Sequence, residues 1–123
     1  MDRIIREIRS ASTVDTSASC LFDPPFIDGC DPELGFLKLN KVVSGSTESV
    51  RFYVTNGRIM VEENGSETGP LTSSKIVIDS LKFRRSATST GEALRIELSI
   101  MIGEDQSTIK NFYNTAVLRG AYQ

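Results

Sequence analysis

The apolar positions of this chain change period once. Between residues 2 and 12 they recur at helical spacing. Ile4, Ile5, Ile8 and Ala11 form one stripe, with Arg3, Arg6 and Glu7 around the polar side. This spacing predicts a short amphipathic helix over 2–12. The Ser/Thr run from Ser10 to Ser19 marks its exit, because those hydroxyls compete for backbone hydrogen bonds. Residues 13–49 read mostly as loop. Pro24, Pro25, Pro32 and Gly29 block regular structure there, and only Gly35–Asn40 has strand character before the Ser44-Gly45-Ser46 turn.

From Val50 to Arg119 the period is two. Val50-Arg51-Phe52-Tyr53-Val54-Thr55 meets Arg58-Ile59-Met60-Val61-Glu62 through Asn56-Gly57, a type I′ hairpin signal. Counting outward pairs Thr55 with Arg58, Val54 with Ile59 and Phe52 with Val61. Val50, Phe52, Val54, Ile59 and Val61 then share a core face, and Arg51 meets Glu62 on the other face. Further strands are predicted at Lys75–Ile78 and Leu81–Arg85. The next runs from Leu94 to Ile102, where Leu94, Ile96, Leu98, Ile100 and Ile102 alternate with Arg95, Glu97, Ser99 and Met101. The last is Asn111–Arg119. One helix followed by consecutive strands predicts an α+β domain, with the N-terminal helix packed on an antiparallel sheet through Ile4, Ile5 and Ile8. All 123 residues fit one domain.

Composition removes several functions. Lys+Arg is 14 and Asp+Glu is 16, for a net charge of −2. No nucleic-acid partner is expected, since phosphate binding needs concentrated positive charge. The basic group Lys82, Arg84, Arg85 lacks interleaved aromatics and reads as a solvated edge. The acidic run Glu62–Glu67 has oxygens but not the spacing of a calcium loop. There is no histidine. That removes the commonest general base and the commonest metal ligand. Pairs such as Asp23 with Asp28, or Ser74 with Lys75, lack an oriented third group. No enzyme activity, metal, cofactor or small-molecule substrate is expected.

Cys20 and Cys30 are too few for a zinc site without histidine. Two readings stay open: a disulfide closing the turn-rich loop between them, which implies an oxidising compartment, or two buried thiols. The disulfide is the favoured one. Its loop could carry an adhesive or ligand-binding function, with Phe22, Pro24, Pro25 and Phe26 as apolar contacts.

Three stretches bear on identity: Arg6-Glu7-Ile8-Arg9-Ser10-Ala11, Leu71-Thr72-Ser73 through Ile76-Val77-Ile78-Asp79-Ser80-Leu81-Lys82-Phe83, and Phe112-Tyr113-Asn114-Thr115-Ala116-Val117-Leu118-Arg119. Together they resemble the soluble domain of a type IV pilin-like protein, closest to a minor pilin or the J-type minor pseudopilin of type II secretion. The resemblance implies a structural subunit of a pilus or secretion filament, outside the cytoplasm. It implies anchoring in the inner membrane, before assembly, by an apolar helix segment preceding residue 1. Other pilin or pseudopilin subunits would be the partners, with Arg3, Arg6 and Arg9 on the assembly surface. A denaturing thiol titration of protein made in an oxidising host tests the cysteine reading. No free thiol is expected, and two would remove the bridge.

Overall fold

A computed structural model of the protein describes residues 2–22, 30–31, 33–72, 75–88, 91–102 and 108–118. One helix, α1 (Asp2–Ser10), is followed by eight strands: β1 (Thr13–Val14), β2 (Leu37–Val43), β3 (Ser46–Thr55), β4 (Arg58–Glu63), β5 (Ser66–Pro70), β6 (Ile76–Thr88), β7 (Gly91–Ile102) and β8 (Thr108–Val117). The strands form two antiparallel sheets, ordered β1-β2-β3-β4-β5 and β6-β7-β8. Strands take up 66% of the described residues.

This corrects the α+β, pilin-like expectation of a helix on one sheet. The protein is mostly β, and α1 is a nine-residue accessory to a two-sheet body. The misreading came from residues 13–49. They supply β1, all of β2 and the start of β3, whose ends at Val42, Val43 and Ser46–Glu48 are exposed and so show no inward alternation.

The five-stranded sheet is a meander built on a repeated local device. Ser44-Gly45, Asn56-Gly57 and Asn64-Gly65 each link two strands as a two-residue loop. All six residues have positive φ, from 50° to 85°. That is the type I′ pair, whose twist matches the flanking strands. The β3–β4 register follows the turn as counted from the sequence, with Phe52 opposite Val61 and Arg51 opposite Glu62.

In the second sheet the inward parity changes between Ile78 and Leu81. Read linearly, that looks like two segments. An irregularity at Asp79 absorbs the extra residue, so Ile78 pairs with Ile100 and Leu81 with Leu98, and β6 is one strand.

Both sheets and α1 share one core. Phe52, Leu37, Leu39, Ile59, Phe83, Leu81, Leu94, Ile96, Ile4 and Ile8 are among its fully buried side chains. A nine-residue helix is too short to be stable alone. Burying its isoleucines, at roughly 1.5–3 kcal/mol each, holds it against β8 and β2. No described helix is long and apolar enough to cross a membrane.

The β3–β4 turn also joins the sheets. Ile78 N–H donates to the Gly57 carbonyl at 2.8 Å. A Cβ on Gly57, at φ +73°, would sit 3.1 Å from Val77 Cγ1, whereas one on Gly45, at φ +81°, meets open space. Gly45→Ala should therefore cost about 1 kcal/mol for left-handed strain alone, and Gly57→Ala about 2 kcal/mol because packing is added. Urea unfolding of the two variants measures the difference.

Candidate assembly surface

A three-stranded sheet leaves two edges, and the chain treats them differently. The β6 edge is covered between Ile78 and Phe83. Phe22 N–H donates to Phe83 O, Gly35 N–H to Leu81 O, Leu81 N–H to Glu33 O, and Ile78 N–H to Gly57 O, all at 2.7–2.8 Å. The first sheet ends in short strands, the two-residue β1 and a five-residue β5 closed by Pro70, which are common ways to blunt an edge.

The β8 edge has no such cover among the described residues. Leu118 N–H donates to Glu92 O. Antiparallel pairs alternate between bonded and non-bonded. The even residues of β8 therefore exchange bonds with β7, and the odd residues 109–117 aim N–H and C=O outward. Thr115 N–H agrees with this parity: among the described residues it is bonded only locally, by the Asn114 side-chain oxygen at 2.8 Å.

The side chains of β8 are also exposed. Ile109, Tyr113 and Val117 lie on the outer face at 57%, 60% and 40% exposure, and Phe112 on the inner face at 42%. Their β7 neighbours on the inner face, Ile96, Leu98 and Ile100, are buried. Most of β8 thus overhangs the core, and among its described side chains only Ala116 turns into it. Arg95 lies over the Tyr113 ring, 5.4 Å from its centroid. A ten-residue edge strand with apolar side chains and one lysine, Lys110, is a template for strand pairing.

The residues singled out from sequence lie elsewhere. Arg3 is half-buried and bonded to Glu7 at 3.0 Å and Glu63 at 2.6 Å, tying α1 to the end of β4. Partial burial opposes its charge, but the bonds to Glu63 and Glu7 outweigh this and raise its pKa. Arg6 and Arg9 are exposed and form no ion pair among the described residues. Ile4, Ile5 and Ile8 are buried. Cys20 and Cys30 form a disulfide, with Cys20 buried. Pro24, Pro25 and Phe26 of the loop lie outside the described residues. Phe22 packs on β6, its ring 4.8 Å from Lys82 Nζ and 4.3 Å from the Arg84 guanidinium carbon. Arg84 pairs with Glu97 and Arg85 with Glu92, so much of the basic group is neutralised.

A cleft of about 350 Å³ opens beside α1, lined by Glu7, Leu39, Lys41, Glu48, Glu63 and Asn64. Glu63 is already held by Arg3. No described cluster of three His, Cys, Asp or Glu residues could hold a metal.

On the outer face of the first sheet, Arg51 stacks against Phe36 and Tyr53, at 5.0 and 4.5 Å, and bonds Glu62 at 3.0 Å. The Tyr53 hydroxyl donates to Glu67 at 3.2 Å. Burial first, then this hydrogen bond, raises the phenol pKa above its ordinary 10.0. The contribution to stability is complete below the unfolded pKa and lost as pH rises through the higher folded value. In an ultraviolet titration, Glu67→Gln should shift the Tyr53 transition down toward free tyrosine.

Sequence reading missed the β8 surface. The alternation places Phe112 and Tyr113 in a final strand over 111–119, and Ile109 lies outside that range. Apolar residues of both parities, 112 with 113 and 116 with 117, were the available signal. Comparison with family models, with curated proteins and with solved structures finds no match.

Proposed function

We propose that this chain is a structural assembly domain that joins a partner protein by strand addition at β8. The observation that carries this is the ten-residue edge that no described residue covers, which presents outward backbone groups together with Ile109, Tyr113 and Val117. Main-chain bonds supply affinity in such contacts, and alternate side chains supply specificity. In this reading the chain has no catalytic role. The pilin and pseudopilin resemblance rests on three sequence stretches, and the two-sheet body differs from the single-sheet fold it implies; the assembly role proposed here rests on the β8 edge instead. An extracytoplasmic setting belongs to the same proposal, and the Cys20–Cys30 disulfide supports it.

A loop-based adhesive function has less behind it. Phe22, the described aromatic of that loop, is engaged with Lys82 and Arg84.

The test is site-specific photo-crosslinking in producing cells. A benzophenone side chain at position 113 should give a defined protein adduct, identified by mass spectrometry. The same group at Lys82, on the outer face of β6, should give none. Equal labelling at both positions, or no adduct at 113, would remove the proposal. Ile109→Lys with Tyr113→Lys should abolish adduct formation by a probe at Val117 while shifting stability by less than about 0.5 kcal/mol, since both side chains are exposed.

A further inference from the structure

We infer that the partner of β8 is β8 of a second copy, paired antiparallel about a two-fold axis at Tyr113. This rests on the reading of β8 as the association edge and names what fills it.

Backbone parity limits the possible registers. Only odd residues of β8 face outward, so an odd residue must meet an odd residue of the second copy. A two-fold axis can then pass through residue 112, 113 or 114, but not between residues. Centred on Tyr113, Ile109 meets Val117, Asn111 meets Thr115, and Tyr113 meets itself. Apolar faces apolar and polar faces polar at every outward position. Centred on Phe112, Ile109 meets Thr115, Asn111 meets Tyr113, and Val117 has no partner within the strand. Centred on Asn114, Asn111 meets Val117 and Ile109 is left over. Cross-strand pairs of like character stabilise a ladder by roughly 0.2–1 kcal/mol each, so the Tyr113 register is preferred.

Charge is compatible with this register. The outward residues 109, 111, 113, 115 and 117 are all neutral, and Lys110 is the strand's one charged residue. The two copies of Lys110 lie six residues apart along the ladder, about 20 Å. That is well beyond the screening length of about 8 Å in physiological salt. Pairing requires Asn114 to release Thr115 N–H, which then donates to the Asn111 carbonyl of the second copy.

The product is a continuous six-stranded sheet. Both β8 edges are consumed, so this contact closes at two copies and cannot propagate. Pairing along residues 109–117 buries on the order of 1,000 Å², at the low end for a specific contact. The dimer should therefore be reversible.

Two measurements on the full chain test this. Sedimentation equilibrium from about 1 μM to about 1 mM should show a monomer–dimer equilibrium. Tyr113→Lys, with an unchanged circular dichroism spectrum, should raise the dissociation constant at least tenfold. Under mild oxidation Tyr113→Cys should cross-link to itself, because directly paired residues sit about 5.5 Å apart between Cα atoms. Ile109→Cys alone should not cross-link, but should do so when mixed with Val117→Cys. Monomer at every concentration, species larger than a dimer, or self-linking of Ile109→Cys as fast as Tyr113→Cys would overturn the inference. A monomer whose position-113 photo-adduct is a different protein would overturn the second copy alone and leave the edge reading standing. A monomer with no adduct would overturn both.

Discussion

Every backbone N–H and C=O needs a partner, and a three-stranded antiparallel sheet has two edges that lack one. This constraint organises the molecule. The chain spends residues 22, 33–35 and 57 on the β6 edge, and four backbone bonds of 2.7–2.8 Å close it between Ile78 and Phe83. No comparable segment reaches β8 among the described residues. The asymmetry leaves β8 as the open edge among the described residues, and the outward groups of such an edge are satisfied equally well by water or by another strand.

The covering of β6 also unites the fold. Gly57 sits at the tip of the β3–β4 hairpin, and its carbonyl accepts from Ile78. The same few atoms that satisfy an edge thus connect the two sheets. The Cys20–Cys30 disulfide, the Phe22 ring over Lys82 and Arg84, and the Gly35 contact with Leu81 keep the 20–35 segment against β6. On the opposite side, α1 sits against β8 and β2 through Ile4, Ile5 and Ile8, and Arg3 bonds Glu63. The helix shields the core but leaves residues 109–115 of β8 exposed.

Charged side chains on these sheets act mostly within the molecule. Arg51 is shared by Phe36, Tyr53 and Glu62, and Arg84 by Phe22 and Glu97. Such partly exposed pairs contribute little individually. Their effect here is to keep the outer faces of both sheets occupied by polar groups that are already engaged. Among the described residues, the apolar side chains of β8 have no such neighbours apart from Arg95 beside Tyr113.

Local chemistry determined a good deal of this protein. Asn56-Gly57 set the β3–β4 turn and, through it, which residues face each other for six pairs. The strict alternation from Leu94 to Ile102 set the inward face of β7. Both follow from φ/ψ preferences and side-chain parity, which a few neighbouring residues decide. Whether the strands made one sheet or two did not follow, because strand partners are chosen across long stretches of chain. The Asp79 bulge hid the continuity of β6. Polar, exposed residues hid the β2–β3 hairpin. The site was hidden for the same reason: nothing in Ile109, Phe112, Tyr113 and Val117 says that they lie at an edge. Tertiary structure decided that, by covering β6 with distant segments and leaving β8 beyond the reach of the core.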